Sequence, residues 1–209
     1  MLRLEFEDHR SDPAAWARHL GISLEAVELY LASDVIDLHI DSFIWHRTLG
    51  YDLTRRHGHG LFGARFYSQV DFPRVLEAQL TGATWVITTN PLRGAEARAD
   101  TFERNLAELL AQFDRVPEQF AVVKSAAEYR AARAQGKHAA FIGSQGGNAL
   151  DASPDALDRI PAGVVLRVTV VHLSSSSLGT TSSPLAGRRD TGLTGRGRES
   201  VRALDAREI

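Results

Sequence analysis

Four apolar runs limit what this chain can fold into: residues 34–41 (DVIDLHID), 83–90 (ATWVITTN), 138–144 (HAAFIGS) and 163–173 (GVVLRVTVVHL). They are largely continuous in their hydrophobicity, with little strict alternation. That is the pattern of strands buried on both faces. The segments between them have helical features. In TFERNLAELLAQF, residues 101–113, Phe102, Leu106, Leu109, Leu110 and Phe113 fall on one stripe. SAAEYRAARAQG opens with a capping box, Ser125 with Glu128, and stops at Gly136. Asp12 and Pro13 start a helix that Gly21 ends, SLEAVELYLAS follows as a second, and Ser153 with Pro154 start a short third. GRESVRALDAREI at the end reads as one more. Strands alternating with helices predict an α/β fold of parallel β/α units, with the sheet covered by helices. No internal repeat or linker divides the chain.

Polar residues stand where three of these strands end. His39 and Asp41 close the first, Gln145 follows the third and His172 closes the fourth. In parallel α/β folds chemistry collects at the carboxyl ends of the strands. Side chains alternate along a strand, so His39 and Asp41 point the same way and Asp37 shares their face. Such a pair is either a metal-ligand arm or a strand-end histidine hydrogen-bonded to a carboxylate. The chain has no cysteine, so any metal must be held by His, Asp, Glu, amide oxygens or water. Gly143, Gly146 and Gly147 predict a tight turn that Gln145 braces. GSQGG is not a nucleophile elbow, because Ile142 stands where the first glycine before Ser144 belongs.

The remaining polar features read as structural. His57 and His59, in the glycine-rich stretch 46–70, are expected to be solvated loop residues. The serines at 174–177 suggest a loop around the mouth of the site. The arginines of GRRDTGLTGRGRE are diluted by Asp190 and Glu199 and lead into a helix. A net charge of −2 favours neither nucleic acid nor an anionic membrane. No run reaches the roughly 18 apolar residues of a membrane span, and the N-terminus has no signal-peptide core. A soluble, cytoplasmic protein is expected.

Taken together, the motifs resemble the membrane (renal) dipeptidase family of zinc peptidases. DLHIDSF is similar to the family's opening H-x-D, FIGSQGGNAL to its G-x-E-G-G strand end, LRVTVVHLSSSS to its LTLTHN strand, and GLTGRGRESVRALDARE to its GLTPFGREVVREMNRLG segment. They occur in the family's order. The resemblance implies a TIM-barrel hydrolase with two zinc ions. It makes His39 and Asp41 ligands of the first metal and aligns Gln145 with the glutamate that bridges both. It makes His172 a substrate contact. Two further metal-binding histidines of the family fall beyond residue 209.

Two departures shape the expectation. Gln145 is neutral and offers one carbonyl oxygen where a carboxylate would offer charge to two cations, so it is a weak ligand. It leaves room for two zinc ions, one or none. A full barrel needs eight strands and about 250 residues, and only four strands are legible here. The chain therefore reads as roughly the N-terminal half of a TIM-barrel metal-dependent hydrolase. On this reading residues 1–209 form a single, truncated domain and residues 1–33 a helical extension. Open sheet edges would permit self-association. The function implied is cleavage of dipeptides by a metal-activated water. The alternatives are an inactive remnant or binding module on the same scaffold, and hydrolysis of a lactone or cyclic amide.

Overall fold

The computed structural model describes residues 2–58, 70–88, 94–147, 150, 154–161, 163–183 and 192–209. The chain forms two compact units. The first is residues 1–85 with 112–140, and the second is residues 86–111 with 141–209.

In the first unit, helices α1 (Pro13–Leu20) and α2 (Leu24–Ala32) pack together ahead of strand β1 (Ile36–Ile40). Asp12 caps α1, Pro13 fills its first turn, and Gly21 closes it with φ +69°. Helix α3 (Phe43–Leu49) follows β1 directly, and α4 (Phe72–Glu77) precedes β2 (Gly82–Thr88). Helix α5 (Ala95–Asp114), β3 (Phe120–Val122), α6 (Ala126–Ala134) and β4 (His138–Gln145) come next. The strand order is β1-β2-β4-β3. The pairs β1–β2 and β3–β4 are parallel. The stretch Phe72, Trp85, Phe113 and Phe120 makes the core, with ring centroids 4.5 to 5.9 Å apart. Burying each such ring is worth about 2–3 kcal/mol.

In the second unit, β4 pairs in parallel with β5 (Val165–Thr169) from Ile142 to Gln145. A short 3-10 helix, Pro154–Arg159, and α7 (Gly195–Asp205) complete it. Arg159 binds three carboxylates of α5: Asp100 and Glu103 at 2.5 Å and Glu96 at 3.2 Å. The hydrogen bonds to Glu103 and Asp100, aided by their charge, raise its pKa further. Four of the five residues of the α5 stripe are buried: Phe102, Leu106, Leu109 and Phe113.

All four expected strands are present, and the pairs β1–β2 and β4–β5 are parallel. β3 is additional, and it occupies β4 at His138–Ala140, ahead of the stretch that pairs with β5. Two helices, α3 and α4, lie in or beside a stretch that reads as loop. Among the described residues no helix is long and apolar enough to cross a membrane.

Candidate metal and substrate site

Between the paired positions Asp37–Ala83 and Ile40–Trp85, β1 has two residues where β2 has one, so it carries one extra residue. That interrupts the alternation that would align Asp37 with His39. The Asp37 carboxylate instead accepts the backbone N–H of His39 at 2.8 Å. Asp37 thus steadies the local backbone at His39. The strand stops at Ile40, and α3 begins at once, with Ile44 N–H bonding the Asp41 carbonyl at 2.9 Å. His39 and Asp41 therefore sit on a sharp strand-to-helix junction.

Their side chains meet. His39 Nε2 lies 3.1 Å from Asp41 Oδ2, with both side chains partly open to solvent. The other carboxylate oxygen, Asp41 Oδ1, is buried without a hydrogen-bond partner. Leaving a buried acceptor unmade costs about 1–3 kcal/mol, more when it is charged. This arrangement suits a cation: an imidazole nitrogen beside a carboxylate that has one oxygen to spare.

His57 departs from the solvated loop expected for it. It is half-buried, stacked on Tyr51 with ring centroids 3.7 Å apart. Its Nε2 lies 2.8 Å from the Asp52 carbonyl, so that nitrogen donates and is not free to ligate. His59 lies outside the described residues.

In the second unit, β4 and β5 bring Gln145 and His172 together. The Gln145 amide nitrogen is 3.2 Å from His172 Nε2, and Gln145 Oε1 is buried without a partner. Gly146 has φ +97°, which favours glycine. The Gly147 N–H bonds Val170 O at 3.1 Å, and a Cβ on Gly147 would stand 2.7 Å from that oxygen. So Gly146 and Gly147 do make the tight turn. Gly143 does not, because it lies within β4, in register with Arg167.

His172 is not on a strand, since β5 ends at Thr169. A hydroxyl-built loop holds it. Thr181 Oγ1 donates to the His172 carbonyl. Ser175 Oγ accepts the Thr181 N–H at 3.2 Å, and Ser176 Oγ accepts that of Leu178 at 3.1 Å. These serines shape the loop itself. Thr181 is the member of this region that the sequence did not reveal, because a threonine in a polar run carries no distinguishing signal. Arg196 and Arg198 donate to the carbonyls of Leu150 and Leu193, consistent with a loop entering a helix.

His39 with Asp41 belongs to the first unit and Gln145 with His172 to the second. Among the described residues no three His, Cys, Asp or Glu side chains form a metal-holding group. The donor types nonetheless fit zinc: imidazole nitrogen, carboxylate oxygen and, more weakly, amide oxygen. The unpartnered acceptors Asp41 Oδ1 and Gln145 Oε1 belong to two of the three residues expected as ligands.

The family model described as membrane dipeptidase (peptidase family M19) matches residues 24–207. No curated protein matches this chain. Several solved structures share its fold. The probable dipeptidase PvdM from Pseudomonas aeruginosa is 20% identical with a TM-score of 0.72, over 88% of this chain and 47% of its own. A metallo peptidase from Rhodobacter sphaeroides, liganded with a phosphinate mimic of the dipeptide L-Ala-D-Ala, is 22% identical with a TM-score of 0.69, over 84% and 57%. An amidohydrolase from Pseudomonas aeruginosa is 24% identical with a TM-score of 0.60, over 87% and 46%. The chain spans about half the length of these structures.

Proposed function

Because the chain belongs to the membrane dipeptidase family, we propose that it is a metal-dependent hydrolase of dipeptides, built as part of a single TIM-barrel domain with residues 1–33 as a helical extension. The observation that carries this reading is Asp41, with one oxygen on His39 and the other buried and unpartnered at the end of β1. His39 and Asp41 would hold zinc, and by resemblance to the family Gln145 would be a weak ligand. Zinc bound there would lower the pKa of a water and polarise a substrate carbonyl.

The chain's own residues do the rest. With the Gln145 amide donating to His172 Nε2, the imidazole proton sits on Nδ1, where it can be donated to a substrate oxygen. Thr181 fixes the backbone from which that ring projects. Asp37 does the same for His39.

The test is elemental analysis for zinc together with hydrolysis of mixed dipeptides. Retained zinc that falls at least tenfold in affinity in His39→Ala and Asp41→Ala is expected. Folded protein with neither metal nor turnover would overturn the proposal.

A second reading, a binding module without turnover, is favoured by the neutral amide at Gln145. It expects Gln145→Glu to gain no activity, and activity appearing in that variant would dismiss it.

A further inference from the structure

Within the first unit lies a cavity of about 110 Å³, at the amino ends of β2 and β4. The parallel strands place it at the opposite end from the carboxyl terminus of β1, where His39 and Asp41 stand. Three cations line it, Arg10, Arg133 and Lys137, and no carboxylate does.

Two of these cations are only partly engaged. Arg10 commits Nε and Nη2 to Asp8 at 2.7 and 2.6 Å. Arg133 commits Nε to Asp34 and Nη2 to the Ser33 carbonyl. A guanidinium has five N–H donors, so the Nη1 group of each keeps donors for another acceptor. Lys137 is half-buried and no ion partner is found for it among the described residues. The neutral polar groups of the wall are already satisfied. His138 Nδ1 bonds the Leu80 carbonyl, Thr81 bonds Val35, and Gln79 bonds Leu76. The unmet demand of this cavity is therefore cationic N–H donors lacking an acceptor. A bound anion would supply Lys137 with a counter-charge.

We propose that this cavity is a binding site for a tetrahedral oxyanion: a phosphate, free or as the phosphoryl end of a small ester. Its volume suits a few waters or one such group. Charge-assisted bonds from Lys137 and the two Nη1 groups would hold the oxygens. The proposal is independent of the hydrolase reading, since it uses none of the residues assigned to that site.

Titration calorimetry of the full chain with inorganic phosphate and, separately, glycerol 2-phosphate, at constant ionic strength, decides it. Saturable binding of at least one of them, one per chain, is expected. Lys137→Met should weaken it at least tenfold and Arg10→Met severalfold. Arg130→Met removes the same charge from an exposed position on α6 and should leave it unchanged. Glycerol 2-phosphate binding without inorganic phosphate would identify an organic ester as the source, and the reverse a free ion. Saturable binding of neither ion, or equal weakening by Arg130→Met and Lys137→Met, would overturn the site. Circular dichroism establishes that each variant is folded, and Arg10, on the surface, provides the second variant should Lys137→Met unfold.

Discussion

His138 is 2% exposed, wedged against Trp85 and Phe120. Its Nδ1 donates to the Leu80 carbonyl at 2.9 Å and its Nε2 accepts from the Trp85 indole at 3.3 Å, which fixes the neutral ring. Burial pushes its pKa down from 6.5 to about 4, against smaller opposing effects of the Leu80 bond and the charge of Asp37. The unfolded chain therefore takes up this proton first. The stability is fully present above pH 6.5 and is lost as the pH falls toward 4, amounting to about 2 kcal/mol by pH 5. Urea unfolding at pH 7 and pH 5 should show that loss. His138→Phe should be less stable at pH 7, because Leu80 and Trp85 lose partners, but should lack this part of the acid slope. An undiminished slope in the variant would assign it to other groups. Asp71 is a second buried polar group, fully buried at 0% exposure. It accepts N–H bonds from His57 and Arg74 at 3.0 Å and lies 3.4 Å from the Arg74 guanidinium. Asp71→Asn puts an amide donor among donors and should cost about 2–4 kcal/mol in thermal unfolding. Asp12→Asn, at the exposed cap of α1, should cost under about 0.5 kcal/mol because asparagine caps equally well.

At the scale of elements, the turn after β4 decides how Gln145 reaches His172. A methyl on Gly147 would press on the Val170 carbonyl, so Gly147→Ala should cost about 2 kcal/mol and lower Tm by about 4–8 °C. At Gly195, in α7, nothing stands within 4 Å of an added Cβ, and alanine there should raise Tm slightly. A drop at both positions alike would remove the turn argument. The same elements show what could be read from residue order. β1, β2, β4 and β5 were legible because long apolar runs bounded by glycine and proline leave little alternative. β3 was not, being three residues long. Helix α3, FIWHRTL, is made mostly of aromatic, β-branched and other weak helix formers, and α4 is only six residues. The candidate ligands His39 and Asp41 were legible as a pair. The role of Asp37 was not, because an extra residue in a strand leaves no mark in the pattern that predicts alternation. Thr181 and the Tyr51–His57 stack depend on tertiary placement, which no local spacing encodes.

For the molecule as a whole, β1 stands at the end of the strand order among the described residues, with β2 beside it. Two of its apolar side chains face solvent: Ile36 at 36% and Leu38 at 69% exposure. Exposed apolar side chains close together on one strand favour association with another chain. We expect the chain to associate with itself as its concentration rises, with a second copy covering the exposed apolar side chains of β1. Sedimentation velocity over a wide concentration range should show a growing faster species. Leu38→Lys should suppress it while changing stability by no more than about 0.5 kcal/mol, since the site is exposed. A chain that stays monomeric throughout, or a Leu38→Lys variant that associates as strongly, would mean that β1 is not what joins the copies. Hydrophobic association weakens on cooling, whereas contacts dominated by charge weaken with salt. The same experiment repeated cold and at high salt therefore separates the β1 face from attraction through the chain's many arginines and carboxylates.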